Sequence, residues 1–134
     1  MRSVQLYGLD KECHFEFAVI AARHRGKWVF CKHKERDTYE IPGGHREDGE
    51  DIEATAKREL WEETGAKDFD IYPVYIYSFT DYGMLYFAEI RSFGELPPLE
   101  IEKIKLFDDM PENLTYPAIQ PYLFERVQEF LETK

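Results

Sequence analysis

The sequence is poor in the features that mark membrane, secreted and nucleic-acid-binding proteins. It has 17 lysine and arginine residues against 27 aspartate and glutamate residues, a formal net charge of −10. Because duplex nucleic acids are bound through their phosphates by clustered cations, this deficit argues against broad binding to them. No apolar run of about 18 residues or more occurs, so no membrane span is expected. The N-terminus has no basic segment followed by an apolar stretch, so no signal peptide is expected.

Cysteine is also scarce. Cys13 and Cys31 are the two cysteines, and they lie in strand-like segments without the spacing of a CxxC motif. Such a pair predicts ordinary small apolar side chains rather than a disulfide framework or a metal site. We therefore expect a cytoplasmic location.

Apolar residues make up 43% of the chain and aromatic residues 16%, a composition typical of packed globular proteins rather than of disordered ones. A chain of 134 residues is large enough for one hydrophobic core and too small for two. We expect residues 1–134 to form a single domain.

Two kinds of hydrophobic pattern divide this domain. Runs rich in β-branched and aromatic residues predict strands at 4–7, 15–22, 27–33, 39–42, 71–79, 84–90 and 101–107. Apolar residues at helical spacing predict helices at 51–64 and 118–131, with Pro121 in the first turn of the second helix. The segments indicate an α/β protein in which two helices pack on a mixed sheet and 101–107 is an edge strand.

The helix predicted at 51–64 has a clear apolar side and a clear end. Ile52, Ala56 and Leu60 recur at every fourth position and form a narrow apolar stripe. Gly65 follows directly, and glycine accepts the left-handed conformation that ends a helix. The helix is therefore expected to end just before Gly65.

Three glutamates lie in the last turns of this helix. Glu59, Glu62 and Glu63 are spaced i, i+3 and i+4, so their carboxylates project from one side, close to the negative end of the helix dipole. Like charges at this spacing repel each other, and a hard divalent cation with oxygen ligands, such as Mg²⁺, is the simplest counter-charge. The alternative is a solvated acidic face, which is what most glutamate clusters on helices are.

The residues that precede the cluster favour the metal site. A glycine, a glutamate and an arginine stand at fixed intervals, in the pattern Gly44-x5-Glu50-x7-Arg58-Glu59-Leu60-x-Glu62-Glu63-x-Gly65-Ala66. This pattern resembles the signature of the Nudix hydrolase family at every defined position. A chance match over the whole motif, residues 44–66, is rare.

The resemblance implies a fold, an activity and a cofactor. The fold is the Nudix α/β/α sandwich, a mixed sheet between the motif helix and the C-terminal helix. The activity is hydrolysis of a diphosphate bond that is linked to a further group, usually a nucleoside, with Mg²⁺ or alternatively Mn²⁺. Glu59, Glu62 and Glu63 match the metal-binding acids of the family, and the backbone carbonyl of Gly43 matches a further ligand.

The resemblance also implies supporting roles within the motif. Glu50 and Arg58 match a pair that braces the glycine loop against the helix, and Arg58 is placed to orient Glu62 as well. The base that activates water varies within the family. Glu59 is the first choice here, and an acid outside the motif is the alternative.

Several residues outside the acidic cluster are further candidates. Arg23 stands where relatives often place a phosphate contact. Glu100 or Glu102 matches the region where some relatives supply one more metal-binding acid or base, and we favour Glu100. Gly43 and Gly44 are candidates for substrate contact, because a backbone without side chains lets a ligand approach closely.

Two classes of function follow. The first is a MutT-like enzyme that cleaves a nucleoside di- or triphosphate, such as 8-oxo-dGTP or another non-standard nucleotide, into a nucleoside monophosphate and pyrophosphate or phosphate. A related alternative acts on a dinucleoside polyphosphate or a nucleotide sugar. The second class is a non-catalytic nucleotide-sensing domain. Such domains usually lack a motif acid, and all three are present here, so we favour the enzyme. A homodimer is common among relatives, and no feature of the sequence decides the oligomeric state.

Overall fold

The computed structural model describes residues 4–133. Over these residues the chain forms seven strands and two helices. In chain order they are β1 (Gln5–Tyr7), β2 (Phe15–His24), β3 (Lys27–His33), β4 (Gly43–His45), α1 (Ile52–Thr64), β5 (Ala66–Ser78), β6 (Tyr82–Phe93), β7 (Ile101–Phe107) and α2 (Gln120–Glu132).

The strands form one mixed sheet, as the sequence predicts. Its order is β1-β5-β6-β2-β3-β7, and β4 pairs with β2 beside this path. Only β2 and β6 run parallel among the pairs of the described strands. Since β7 ends the order, the predicted edge strand is confirmed.

The strand β2 pairs with β4, which contains Gly43 and Gly44, and so joins these glycines to the sheet. One edge of β2 pairs with β6 along most of its length. The other edge is shared: residues 17–19 pair with β4, and residues 22–24 pair with β3. The glycines of β4 are therefore hydrogen-bonded to the centre of the sheet and face α1 from a rigid strand.

The two helices cover opposite faces of the sheet, because alternate residues of a strand point to opposite sides. Ala56 and Leu60 of α1 pack with Ile20 in one buried cluster. Leu123 and Val127 of α2 pack in a second cluster with residues from the other face. The predicted α/β/α sandwich is confirmed, and Pro121 lies in the first turn of α2 as expected.

One predicted strand and one predicted strand boundary are wrong for identifiable reasons. Residues 39–42 form only isolated bridges rather than a strand; Pro42 has no N–H to donate, and the regular strand begins at Gly43. The strand β5 begins at Ala66 rather than at 71. Its early part carries exposed acids, which hide the pattern, and Arg91 of β6 stabilises them by hydrogen bonds to Asp68 and Asp70 at 2.7 and 2.5 Å.

Neither helix in residues 4–133 has the length and apolar character needed to cross a bilayer.

Candidate active site

A cavity of about 750 Å³ runs past the last turns of α1. At one end its lining is acidic and includes Glu59, Glu62 and Glu63. At the other end the lining is mainly apolar and comes from β2, β5 and the start of α2. Gly43 and Gly44 line it as well, so the cavity combines the motif acids, the glycine strand and an apolar compartment.

The position of the acids follows from the end of α1. Gly65 adopts φ = 76°, the left-handed conformation, and its N–H donates to the carbonyl of Trp61 at 2.8 Å. A Cβ at Gly65 would lie 2.9 Å from the carbonyl oxygen of Glu95. Both this close contact and the left-handed conformation disfavour any residue with a side chain. The helix therefore ends as the sequence predicts, with the glutamates in its final turns.

Arg58 connects the motif loop to the helix. Its Nε and Nη2 donate to the two carboxylate oxygens of Glu50 at 2.8 and 2.9 Å, and Nη2 also donates to the carbonyl of His45 at 3.1 Å. Its Nη1 donates to Glu62 Oε2 at 3.2 Å. The Arg58 guanidinium and the Thr55 hydroxyl lower the pKa of Glu50 to about 2. Glu50 is thus a permanently charged brace, and Arg58 reaches both the loop and one of the three acids.

Glu59 and Glu63 are in the opposite situation. Burial raises the pKa of Glu59 to about 7 and that of Glu63 to about 8. Neighbouring carboxylates, Glu100 among them, add to both shifts. The Gly43 N–H opposes the shift of Glu63 by donating to Oε1 at 2.9 Å. Arg58 offsets part of the shift of Glu59, whose Oε2 lies 3.5 Å from Arg58 Nη1, but burial outweighs it. Among residues 4–133, no arginine or lysine lies within ion-pair distance of Glu63.

The two glycines of the strand are required for different reasons. A Cβ at Gly44 would overlap the Glu59 carboxylate. A Cβ at Gly43 would lie 2.6 Å from the backbone oxygen of Ala18 and 2.7 Å from Val19 Cγ1. Gly44 therefore leaves room for a site acid, whereas Gly43 permits the pairing of β4 with β2.

The donor set fits a hard divalent cation. Within residues 4–133, no three His, Cys, Asp or Glu side chains already stand as a complete metal site. However, the side chains of Glu59 and Glu63 are largely shielded from solvent and have raised pKa values, and carboxylate oxygens are the ligands that Mg²⁺ and Mn²⁺ prefer. Gly43 contacts Glu63 through its N–H, which brings the backbone of this glycine beside the acids.

A second group of charged residues borders the acids, and one of them, Glu40, was not singled out from the sequence. Glu40 is 6% exposed, and its Oε1 accepts a hydrogen bond from Arg36 at 2.9 Å. His33 Nε2 lies 3.4 Å from Glu40 Oε2 and 3.8 Å from Glu63 Oε2, while its Nδ1 lies 3.6 Å from Glu100 Oε2. The only sequence signal for Glu40 is its position just before the glycine strand.

The candidates outside the motif separate in space. Glu100 lines the cavity, with a side chain 84% exposed. Glu102 instead pairs with Lys32 at 3.0 Å on the exposed side of β7. Arg23 is not among the residues that line the cavity. Its Nη2 donates to Glu89 Oε1 at 2.8 Å, because the parallel register of β2 and β6 sets the two residues opposite each other. The structure brings Glu100, and not Arg23 or Glu102, to the acids.

Gln120 marks the apolar end of the cavity. It is 4% exposed, and its Oε1 accepts a hydrogen bond from the N–H of Ile41 at 3.0 Å. This bond fixes which end of the amide is oxygen, since a backbone N–H needs an acceptor. Among the described residues no fully buried side-chain polar atom lacks a partner, so the Gln120 NH₂ group, for which no protein acceptor is found, is open to the cavity.

Comparisons with known proteins agree with this geometry. The model of the NUDIX domain matches residues 14–126. A Bacillus subtilis (strain 168) protein, YtkD, provisionally named an 8-oxo-dGTP diphosphatase, is 34% identical over 104 residues. This match covers 72% of the chain and 64% of YtkD, so the chain spans less than two thirds of that relative's length.

Solved structures show the same fold. The Bacillus subtilis pyrophosphohydrolase BsRppH has a TM-score of 0.77 at 26% identity, over 94% of this chain and 90% of its own. A C. elegans Ap4A hydrolase has a TM-score of 0.68 at 16% identity, over 89% of this chain and 100% of its own, a likeness of fold alone. The match of the domain model to most of the sequence, together with the motif geometry, shows that the chain belongs to the Nudix family.

Proposed function

We propose that the protein is a metal-dependent pyrophosphohydrolase that cleaves a diphosphate bond in a nucleoside di- or triphosphate and releases a nucleoside monophosphate with pyrophosphate or phosphate. One observation carries the proposal: Glu59 and Glu63 are largely buried carboxylates with raised pKa values, and they lie at the acidic end of a cavity whose other end is apolar. This arrangement suits a substrate with a charged diphosphate at one end and a flat apolar group at the other.

Members of the Nudix family generally use divalent metal ions, and for this chain we propose Mg²⁺, with Mn²⁺ as the alternative. The ion would be held by Glu59, Glu62, Glu63 and the carbonyl of Gly43. Glu100 is the candidate for a further ligand. When bound, such an ion neutralises phosphate charge and makes a coordinated water easier to deprotonate.

The chain's own residues supply the remaining chemistry. A carboxylate within hydrogen-bond reach of the attacking water can take its proton, and Glu59 is our candidate for this base. Burial already raises the pKa of Glu59 to about 7, which favours acceptance of a proton near neutral pH. Arg58 holds Glu62 in place while it braces the loop through Glu50.

The apolar end is our candidate site for the nucleobase. Phe17 and Tyr77 line it, and aromatic faces stack well on bases. The name of YtkD supports an oxidised purine nucleotide such as 8-oxo-dGTP as the first substrate to test. The Gln120 NH₂ group would donate to a carbonyl oxygen of such a base. A cytoplasmic location and a homodimer stay predictions.

A hydrolysis screen with Mg²⁺ tests the proposal. The panel contains oxidised and ordinary dNTPs, ADP-ribose, NADH, dinucleoside polyphosphates and CoA, with products resolved by chromatography. Glu63→Gln is assayed beside the wild type. We expect one nucleotide to be cleaved well above the rest, and that activity to be lost in the variant. Absence of turnover on the whole panel, with tight binding of one nucleotide, would instead indicate a sensing domain.

A further inference from the structure

The cavity is rich in negative charge. Besides the three motif acids, Glu40, Glu47 and Glu100 line it. A diphosphate that enters such a cavity is repelled unless cations compensate, and a protein cation that already faces a carboxylate contributes little net charge. Compensation therefore requires a cation in the lining that is not already paired with a carboxylate.

Among residues 4–133, three arginines line the cavity, and their environments differ. Arg58 lies within 4.0 Å of Glu50, Glu59 and Glu62, and Arg36 pairs with Glu40 at 2.9 Å. In residues 4–133, no carboxylate oxygen lies within ion-pair distance of the Arg46 guanidinium. Arg46 is thus the arginine of the lining whose positive charge has no ion-pair partner.

Backbone carbonyls and a histidine ring contact the Arg46 guanidinium instead. Its Nε donates to the carbonyl of Phe15 at 2.8 Å, and its Nη1 donates to the carbonyls of Glu50 and Glu47 at 3.1 and 3.5 Å. Its Nη2 lies 3.0 Å from His14 Nε2. A guanidinium has five N–H donors, so one N–H on Nη2 remains for a ligand. The cation is held in position before any ligand arrives, and most of its ordering entropy is already lost.

We propose that Arg46 is a phosphate-binding residue, which gives a charge-assisted hydrogen bond to a non-bridging oxygen of the diphosphate. This assignment rests on the proposed function, since it requires a diphosphate in the cavity. It places the phosphate contact at Arg46, directly after β4, rather than at Arg23. The Arg23 guanidinium donates hydrogen bonds to Glu89 outside the cavity. The competing interpretation is that Arg46 only ties residues 46–50 to the start of β2.

Two substitutions at Arg46 separate these interpretations. Arg46→Gln removes both the positive charge and the planar set of guanidinium N–H donors. Arg46→Lys keeps the charge and loses the planar donor set. Arg23→Gln is the matched control, because it removes an arginine outside the cavity. Calorimetry would measure the binding of inorganic pyrophosphate and of the non-hydrolysable α,β-imido analogue of dGTP, each with Mg²⁺ and at two salt concentrations. The melting temperature of each protein would be recorded in parallel.

We expect Arg46→Gln to weaken both probes by about 10- to 100-fold, the usual range for a lost hydrogen bond between charged groups. Arg46→Lys should recover most of the affinity, and added salt should weaken the wild type more than Arg46→Gln. Arg23→Gln should bind like the wild type. Wild-type affinity in Arg46→Gln, or equal loss of affinity and of melting temperature in both Arg46 variants, would overturn the assignment. A wild type that binds neither probe and cleaves no panel substrate would overturn the proposed function, and this assignment with it.

Discussion

The carboxylates before and after Arg58 lie in opposite electrostatic environments. Glu50 accepts hydrogen bonds from Arg58 and Thr55, and its pKa falls to about 2. Glu59 and Glu63, within two turns of α1, are buried and crowded by other acids, and their pKa values rise to about 7 and 8. One motif therefore holds a compensated acid, Glu50, which stabilises a loop, and two acids with raised pKa values, which we propose as cation ligands. Environments that push the pKa values of similar groups apart are typical of active sites.

The largest effect is expected when one of the two acids with a raised pKa is removed. Glu63→Gln is isosteric, and its amide oxygen can still accept the Gly43 N–H, so the fold should persist. Loss of a metal ligand should lower the Mg²⁺-dependent rate at least about 100-fold. Glu53→Gln is the control, because Glu53 lies on the same helix and pairs with Lys57 at 3.1 Å outside the cavity. Wild-type rates in Glu63→Gln would contradict the assignment of the acids.

Adding a methyl group to either glycine should separate site geometry from fold stability. Gly44→Ala should displace the Glu59 carboxylate, lower activity about 10- to 100-fold and leave the melting temperature nearly unchanged. Gly43→Ala should clash with the backbone of β2 and cost about 1–3 kcal/mol of unfolding free energy. Thermal denaturation would measure the stability of both variants, and initial rates would measure their activity. Equal destabilisation by the two substitutions would show that Gly44 has no special relation to Glu59.

Removing Glu50, the compensated acid, should lower activity indirectly, through the loop that it holds in place. Glu50→Gln weakens the contact with Arg58 and the hydrogen bond to the backbone N–H of Glu47, so the loop should loosen. We expect activity to fall about 10-fold, because a supporting residue rather than a ligand is changed. Asp48→Asn, an exposed change in the same loop, is the control. A loss as large as that of Glu63→Gln would mean that Glu50 takes part in the chemistry itself.

The smallest effect is a pair of opposite pH dependences in the metal-free protein. The pKa of Glu63 is raised from 4.5 to about 8, so its contribution to stability is present below its ordinary pKa and is lost as pH rises towards about 8. The pKa of Glu50 is lowered, so its contribution is lost as pH falls from 4.5 towards about 2. Melting temperatures against pH should show both slopes. Glu63→Gln should reduce only the fall in stability as pH rises from 4.5 to about 8, and Glu50→Gln only the fall as pH drops from 4.5 to about 2. Unchanged curves would refute this linkage.

Local spacing is enough to predict the motif helix and its acids. Ile52, Ala56 and Leu60 define the buried side, and Gly65 defines the end. Most strands and the second helix also follow, because they carry their own hydrophobic patterns. These features depend on residues that are near each other in the chain. The placement of the two helices on opposite faces of the sheet is implied by the resemblance to the Nudix family and not by these patterns.

Contacts between distant segments could not be predicted in the same way. Glu40 reaches the site because it bridges to Cys31 on β3, a pairing that no local pattern specifies. Arg23 is paired with Glu89, 66 residues away, through the parallel register of β2 and β6. The apolar end of the cavity likewise depends on how α2 begins against Ile41.

The central claim is that Glu59 and Glu63 bind a divalent cation in place of the protons that burial favours. Calorimetric titration of the metal-free protein with Mg²⁺ and Mn²⁺, in buffers of different ionisation enthalpy at about pH 6 and about pH 9, tests it most directly. Tighter binding at the higher pH, proton release at the lower pH and loss of both in Glu63→Gln are the predicted results. Absence of binding at both pH values, or equal binding by wild type and Glu63→Gln, would contradict the claim.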